Sequence, residues 1–163
     1  MKRIYAPWRS IYLQREPGEE CLFCSIRKKE SADDENRVLF RGRHHFVIIN
    51  AYPYSNGHVM VVCNRHVEHF NDLDAAETVE MGELIRRCER AILEAYKPGG
   101  INMGANLGRT AGAGIAGHLH VHLVPRWHGD TNFMTTVGET RVVSEDLGET
   151  YRKLKVHFEE PRG

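Results

Sequence analysis

The stretch His118-Leu119-His120-Val121-His122-Leu123-Val124 decides how this chain folds. Polar and apolar residues alternate along it, which is the pattern of a half-buried β-strand. Three imidazoles then lie on one face, and the alternating Leu and Val side chains lie on the other face, towards the core. Histidine is an uncommon choice for a solvated strand face, so the pattern favours a pocket lined by imidazoles over a polar outer surface.

The segment before that strand, residues 108–117, is rich in glycine and alanine. Small residues let backbone N–H groups approach anionic oxygens, although such a run is also typical of a plain flexible loop. Its place directly ahead of three histidines favours a phosphate-binding loop. A neutral imidazole, with a pKa of ~6.5, is a competent nucleophile towards phosphorus.

The rest of the chain predicts strands on either side of one long helix. Further strands are predicted over residues 38–40, 46–50, 58–63 and 101–107. A 3.6-residue apolar period predicts a helix over Asp72–Tyr96, with Asp74 and Glu77 as a capping pair and Pro98-Gly99-Gly100 as its stop. We therefore predict an α+β fold with a mainly antiparallel sheet of about five strands, a long central helix and a C-terminal helix.

Two further segments complete this description. The charged stretch Arg27–Arg37 is expected to be a surface connection. The C-terminal helix is expected to begin at Ser144 as its N-cap and to bury one apolar face, formed by Leu147, Tyr151, Leu154 and Phe158.

Length and charge limit the possible functions. The chain has 163 residues, with 22 Lys and Arg against 22 Asp and Glu. We expect a single domain over residues 1–163, with an N-terminal segment 1–37, a core 38–134 and a C-terminal extension 135–163. A balanced charge argues against a polymeric nucleic acid partner. The chain has neither a run of ~20 apolar residues nor a secretory signal, so we expect no membrane association and a cytoplasmic location.

The four cysteines fall into two groups. Cys21 and Cys24 have the two-residue gap that lets two thiolates reach one Zn²⁺ from a tight turn. A reduced pair packed near Phe23 is the alternative. Cys63 and Cys88 lie in apolar patterns and are expected in the core.

At this point the chain resembles the histidine triad superfamily of nucleotide hydrolases and transferases. Residues 118–124 fit its signature, in which histidines alternate with apolar residues, and the resemblance extends from Cys21 to Phe133. The segment Val124–Met134 looks most like the branch that contains bacterial diadenosine tetraphosphate phosphorylases. The resemblance implies cleavage of dinucleoside polyphosphates through a covalent nucleotidyl-histidine, resolved by inorganic phosphate or by water.

The resemblance also implies roles for four histidines. His120 would attack the α-phosphorus, His122 would contact phosphate oxygens, and His118 would fix the geometry of His120. His58 matches an additional upstream histidine of the family and would support the triad. His44, His45, His69 and His157 are expected to be solvated.

Substrate contacts are implied in the same way. Asn50 matches an asparagine that holds the ribose hydroxyls, and Asn106 matches a polar residue near the scissile phosphates. Gly112, Ala113 and Gly114 would form the phosphate-binding loop. Related hydrolases carry a glutamine where this chain has Gly114, so the departure favours phosphorolysis.

Zinc-containing members of the superfamily add a histidine after the third strand and the first triad histidine to the cysteine pair. The matching set is Cys21, Cys24, His66 and His118, and four protein ligands imply a structural Zn²⁺. No organic cofactor is implied. Members are commonly homodimers, so a homodimer is expected.

Three alternatives stay open. A nucleoside phosphoramidase or nucleotidyl-amine hydrolase would use the same His120 with another leaving group. A module that binds zinc or a nucleotide would keep the triad without turnover. In the third alternative, the three triad histidines form an open metal site.

Overall fold

The computed structural model describes residues 20–131, 137 and 145–159, and a five-stranded sheet lies at its centre. The strands are β1 (Val38–Arg41), β2 (His45–Ile49), β3 (Val59–Cys63), β4 (Gly100–Gly104) and β5 (His120–Arg126). They lie in the order β1-β2-β3-β5-β4, and every neighbouring pair is antiparallel. The predicted α+β class and the antiparallel five-stranded sheet are therefore confirmed.

Among the described residues, four α-helices accompany the sheet: α1 (Leu22–Lys28), α2 (Asp33–Asn36), α3 (Ala75–Tyr96) and α4 (Leu147–Lys155). Helix α3 is the predicted long helix. Its N-cap Asp74 accepts a hydrogen bond from the Glu77 amide at 2.8 Å, and the Glu77 carboxylate accepts one from the Asp74 amide at 2.9 Å. This capping box satisfies two amides that have no partner within the helix.

The two faces of the sheet carry different partners. Helices α3 and α4 cover one face, where a large apolar core includes Val61, Val121, Ile92 and Leu154. Both Cys63 and Cys88 are fully buried in that core, as predicted. A smaller cluster on the other face joins Phe23 and Ile26 of α1 to residues of β1, β2 and β3, namely Val38, Phe46, Ile48, Met60 and Val62.

Strand β5 lies between β3 and β4, in the interior of the sheet. In the β3 pairing His120 lies opposite Val62 and His122 lies opposite Met60, while in the β4 pairing His122 lies opposite Gly104. Residues directly opposite each other in an antiparallel pair point to the same face. The histidines of β5 therefore share a face with the small cluster beneath α1.

The segment Arg27–Arg37 is more ordered than expected. Helix α1 extends to Lys28, a 3-10 turn spans Glu30–Ala32, and α2 follows. Arg41 anchors this segment by donating to the Asp33 carboxylate at 2.6 Å and to the Arg27 carbonyl at 3.2 Å. Helices this short are marginal alone, so contacts with β1 stabilise what local sequence did not predict.

Several boundaries of helices and strands also differ from the predicted ones. The strand predicted over residues 101–107 spans Gly100–Gly104, and β5 begins at His120 because the Leu119 amide donates to the Val67 carbonyl at 2.6 Å. The N-cap of α4 is Asp146, whose carboxylate accepts from the Gly148 and Glu149 amides, so the prediction of Ser144 was wrong. Ser144 itself lies outside the described residues.

The expectation that His45 is solvated was also wrong. Its side chain is fully buried, and its Nδ1 lies 3.1 Å from Oε2 of Glu80 on α3. Burial lowers the pKa of His45 despite this carboxylate. The Nε2 atom has no hydrogen-bond partner among the described residues. His69 is exposed, whereas His44 and His157 are half-buried.

Within residues 20–131 and 145–159, no helix is both long enough and apolar enough to cross a membrane.

Two neighbouring residues of α3 test the assignment of its buried face. Ile92 is fully buried, whereas Leu93 is 45% exposed. We expect Ile92→Ala to lower the free energy of unfolding by about 2–5 kcal/mol, because it removes core contacts and leaves a cavity. Leu93→Ala is the matched control and should change it by less than about 1 kcal/mol. Urea unfolding would measure both, and equal losses would contradict this packing.

Candidate active site and metal centre

The rings of His118, His120 and His122 lie on the sheet face covered by α1. The Phe23 ring centroid lies 5.3 Å from that of His118 and 5.1 Å from that of His120, and the His120 and His122 centroids are 4.8 Å apart. His118 and His120 are buried, and His122 is half-buried. The structure thus brings the three predicted imidazoles together on one face.

A hydrogen bond to the backbone determines which ring nitrogen of His120 carries the hydrogen. Its Nδ1 lies 2.8 Å from the His118 carbonyl oxygen. Because a carbonyl only accepts, Nδ1 carries the hydrogen and Nε2 keeps an unprotonated lone pair. Burial lowers the pKa of His120, which favours the neutral ring. A neutral imidazole with a bare Nε2 is suited to nucleophilic attack.

A second hydrogen-bonded chain sets the proton of His122. The Tyr54 amide donates to Nδ1 of His58 at 3.1 Å, which leaves the His58 hydrogen on Nε2. That Nε2 lies 2.9 Å from Nδ1 of His122. Nδ1 of His122 therefore accepts, and its own hydrogen is on Nε2. Neighbouring rings in the same face thus differ: His120 offers a lone pair at Nε2, and His122 offers a proton there.

A cavity of about 220 Å³ opens beside these two rings, between α1 and the sheet. Apolar side chains of α1 and β3 form part of its wall, including Leu22, Ile26 and Met60. The predicted substrate residues that line it are Asn50, Asn106, Gly112, Gly114 and His122. The lining does not include Ala113, which is buried within the loop.

The glycine-rich loop closes on itself. Gly108 and Gly112 both have positive φ angles, 81° and 90°, which L side chains rarely adopt. The Gly112 amide donates to the Arg109 carbonyl at 3.0 Å, and the Ala113 amide donates to the Gly108 carbonyl at 3.4 Å. Asn106 donates to the Gly112 carbonyl at 3.4 Å, which ties the loop to the chain after β4.

Asn50 lies at the end of β2, beside His58. Its amide donates to the His58 carbonyl at 3.0 Å, and its side-chain oxygen accepts from the Tyr52 amide at 2.9 Å. The Asn50 Nδ2 atom lies 3.5 Å from Nε2 of His58. The hydrogen bond from the Tyr52 amide holds the Asn50 side chain at the rim of the cavity.

Four residues predicted as metal ligands form one cluster. Cys21 is the N-cap of α1 and Cys24 lies in its first turn, so the predicted tight turn is the start of a helix. The Sγ atoms of Cys21 and Cys24 lie 3.3 and 3.6 Å from Nδ1 of His118, and Cys24 Sγ lies 3.4 Å from Nδ1 of His66. The four candidate ligand atoms lie within 4.8 Å of one another.

These distances suit a tetrahedral ion, because ligands ~2.0–2.3 Å from zinc lie roughly 3.3–3.8 Å apart. His118 Nε2 lies 2.7 Å from the Cys63 carbonyl, so Nε2 carries the hydrogen and the Nδ1 lone pair faces the thiols. Burial and the neighbouring Cys21 thiol raise the pKa of Cys24, an effect that a bound cation would reverse. The cluster can therefore hold a metal ion.

His118 connects the two centres. Its side chain belongs to the cluster of candidate metal ligands. Its carbonyl oxygen accepts the hydrogen bond from Nδ1 of His120 and so fixes the tautomer of that ring. Phe23, which lies between the two thiols in sequence, packs against both rings. The sequence analysis named Phe23 only as packing for a reduced cysteine pair. It did not predict that Phe23 and its apolar neighbours in α1 would pack against the triad, although their position beside the cysteine pair was a signal for this.

The two assigned tautomers can be measured directly. We expect ¹⁵N NMR correlations of the neutral side chains to show His120 protonated at Nδ1 and His118 protonated at Nε2, because each faces a carbonyl. The exposed His128 serves as the internal reference. A hydrogen on Nε2 of neutral His120 would contradict the site as described.

Comparisons with known proteins agree with this geometry. Residues 31–129 match the HIT domain. The AP-4-A phosphorylase of Mycobacterium tuberculosis is 37% identical over 167 residues, which cover 97% of this chain and 85% of that protein. A Zn-bound histidine triad family protein from Mycobacterium smegmatis superposes with a TM-score of 0.67 at 25% identity, covering 85% of this chain and 93% of that one.

A hypothetical histidine triad nucleotide-binding protein from Sulfolobus tokodaii superposes with a TM-score of 0.64 at 30% identity. That match covers 85% of this chain and 89% of the solved one. The domain match spans all five strands of the described sheet, and the sequence similarity extends over nearly the whole chain. The chain therefore belongs to the HIT domain family.

Proposed function

We propose that the protein cleaves dinucleoside polyphosphates such as diadenosine tetraphosphate through a nucleotidyl-histidine at His120. The observation that carries the proposal is the hydrogen bond between His120 Nδ1 and the His118 carbonyl, which leaves Nε2 bare beside the 220 Å³ cavity. The 37% identity to a protein named AP-4-A phosphorylase supports the substrate class.

In the first half of the proposed reaction, Nε2 of His120 attacks the α-phosphorus and forms a P–N bond. The bond between that phosphorus and the bridging oxygen breaks, and the departing nucleotide takes the electron pair. The Nε2–H of His122 donates a hydrogen bond to the bridging oxygen, and the polyphosphate departs as an anion that keeps the electron pair. Opposite proton positions on adjacent rings supply a nucleophile and a hydrogen-bond donor together.

In the second half, an acceptor displaces His120 from phosphorus, and the P–N electron pair returns to Nε2. Inorganic phosphate yields a nucleoside diphosphate, and water yields a nucleoside monophosphate. Gly114 lines the cavity and presents no side chain that would hold a water molecule there. This open position favours phosphate as the acceptor.

Substrate placement follows from the cavity. We assign the ribose to Asn50 at the rim, and the scissile phosphates to the region between Asn106, Gly112 and Gly114. The base then lies against the apolar wall formed by α1 and β3. Ala113 has a supporting role within the loop.

We further propose that Cys21, Cys24, His66 and His118 hold a structural Zn²⁺. Four protein ligands leave no open coordination position, so the ion would clamp α1 to the strand of the triad and supply no Lewis acid to the substrate. The homodimer and the cytoplasmic location stay predictions.

Product analysis tests the proposed function. We expect wild type to convert diadenosine tetraphosphate and inorganic phosphate to ADP and ATP, and His120→Ala to lose activity by roughly 10³-fold or more. The control His128→Ala, at an exposed histidine, should retain activity. AMP and ATP formed without phosphate would identify water as the acceptor. Equal inactivity of wild type and His120→Ala would contradict the substrate class, and activity surviving in His120→Ala would contradict the mechanism.

Metal analysis tests the proposed zinc site. We expect about one zinc per chain in wild type and in His120→Ala, and loss of zinc with a lower Tm in Cys24→Ser. Cys88→Ala is the control, because its buried thiol lies in the opposite core. Loss of zinc from His120→Ala would instead indicate an open metal site within the triad.

A further inference from the structure

A second cavity lies on the other side of His122. Its volume is about 620 Å³, within the roughly 300–1,000 Å³ typical of small-molecule sites. It shares Tyr54, Asn106 and His122 with the first cavity, whereas His120 lines the first cavity alone. A substrate that His120 attacks therefore has space on both sides of His122.

A glycine keeps the second cavity open next to the triad. Gly104 of β4 lies directly opposite His122 in the sheet, so a side chain at position 104 would project to the face of His122. A Cβ atom built there meets no heavy atom within 4 Å. The space beside His122 is thus open because this edge strand has no side chain at that point.

The lining of the second cavity is polar with little free charge. Arg126 is its lining guanidinium, and Arg126 already bonds the Asp130 carboxylate at 2.5 and 2.8 Å and the Asn102 side-chain oxygen at 2.7 Å. The other polar side chains that line it are hydroxyls, amides and the singly protonated imidazole of the shared His122: Tyr54, Ser55, Asn56, Asn102, Asn106, His122 and Thr131. Trp127 adds an aromatic residue.

This chemistry selects a neutral ligand over an anionic one. A polyphosphate is bound by unpaired cations and amide donors, and the carboxylate of Asp130 neutralises the cation of this cavity. A nucleoside is uncharged, carries several hydrogen-bonding groups and has a flat ring for aromatic contact. Its size also suits a cavity of this volume.

We infer that the second cavity binds the nucleoside of the departing nucleotide, so that the two nucleosides of a dinucleoside polyphosphate lie on opposite sides of His122. This inference rests on the proposed function, because it assigns the attacked nucleotide to the first cavity. The polyphosphate then passes His122 where the two cavities meet, beside the shared residues Tyr54 and Asn106.

A pair of ligands separates the two cavities experimentally. Diadenosine tetraphosphate carries two nucleosides, and adenosine 5′-tetraphosphate carries only one. Their dissociation constants would be measured by calorimetry on His120→Ala protein, which cannot turn either ligand over under the proposed mechanism. Gly104→Val adds a branched side chain to the second cavity, in a strand position that accepts it. Gly104→Ala gives a smaller side chain at the same place.

We expect Gly104→Val to raise the dissociation constant of diadenosine tetraphosphate about tenfold and that of adenosine 5′-tetraphosphate less than twofold. Gly104→Ala should give values between those of the Gly104 protein and Gly104→Val. Gly100→Val is the matched control: it lies on the same strand, a Cβ there also meets nothing within 4 Å, and it does not line the cavity. It should change neither constant. A far-UV spectrum and a Tm would show that each variant is folded.

Two results with folded Gly104→Val protein would overturn the inference. One is an equal rise in the dissociation constants of both ligands, and the other is no rise in either constant. Turnover by wild type decides the proposed function separately. If wild type cleaves neither ligand, the proposed function fails, and the difference between the two dissociation constants still shows whether the second cavity takes a nucleoside.

Discussion

The hydrogen bond from His120 Nδ1 to the His118 carbonyl, at 2.8 Å, is the contact on which the chemistry of this site depends. Alternation along a strand places the imidazoles of His120 and His122 on one face. The hydrogen bond then gives the two rings different protonation at Nε2. It leaves a lone pair on Nε2 of His120, while the chain through Tyr54 and His58 leaves a proton on Nε2 of His122. Two backbone groups outside the strands, the His118 carbonyl and the Tyr54 amide, therefore assign the two chemical roles.

The same residue that orients His120 belongs to the thiol and imidazole cluster. Nδ1 of His118 faces Cys21 and Cys24, and its Nε2 faces the Cys63 carbonyl at 2.7 Å. Helix α1 starts at this cluster and supplies Phe23, whose ring packs on His118 and His120. A metal held there would stabilise a short helix that buries the triad, and so would act on the active site through packing.

Sequence patterns predicted the features that depend on local periodicity and spacing. The alternation around His120 predicted β5, and Asp74 with Glu77 predicted the start of α3. Features that depend on tertiary contact were missed. Helix α2 has four residues and is held by the ion pair between Asp33 and Arg41, and His45 is buried because α3 places Glu80 against it. Neither contact is visible in a short window of sequence.

The central claim is that His120 carries the nucleotidyl group. Its most direct test is rapid quenching of the wild-type protein with diadenosine tetraphosphate at alkaline pH, followed by peptide mass spectrometry, because a P–N bond is acid-labile. The account predicts a nucleotidyl adduct that fragmentation places on His120 and that disappears on the timescale of turnover. An adduct on His118 or His122, or product formation at full rate without any adduct, would contradict it.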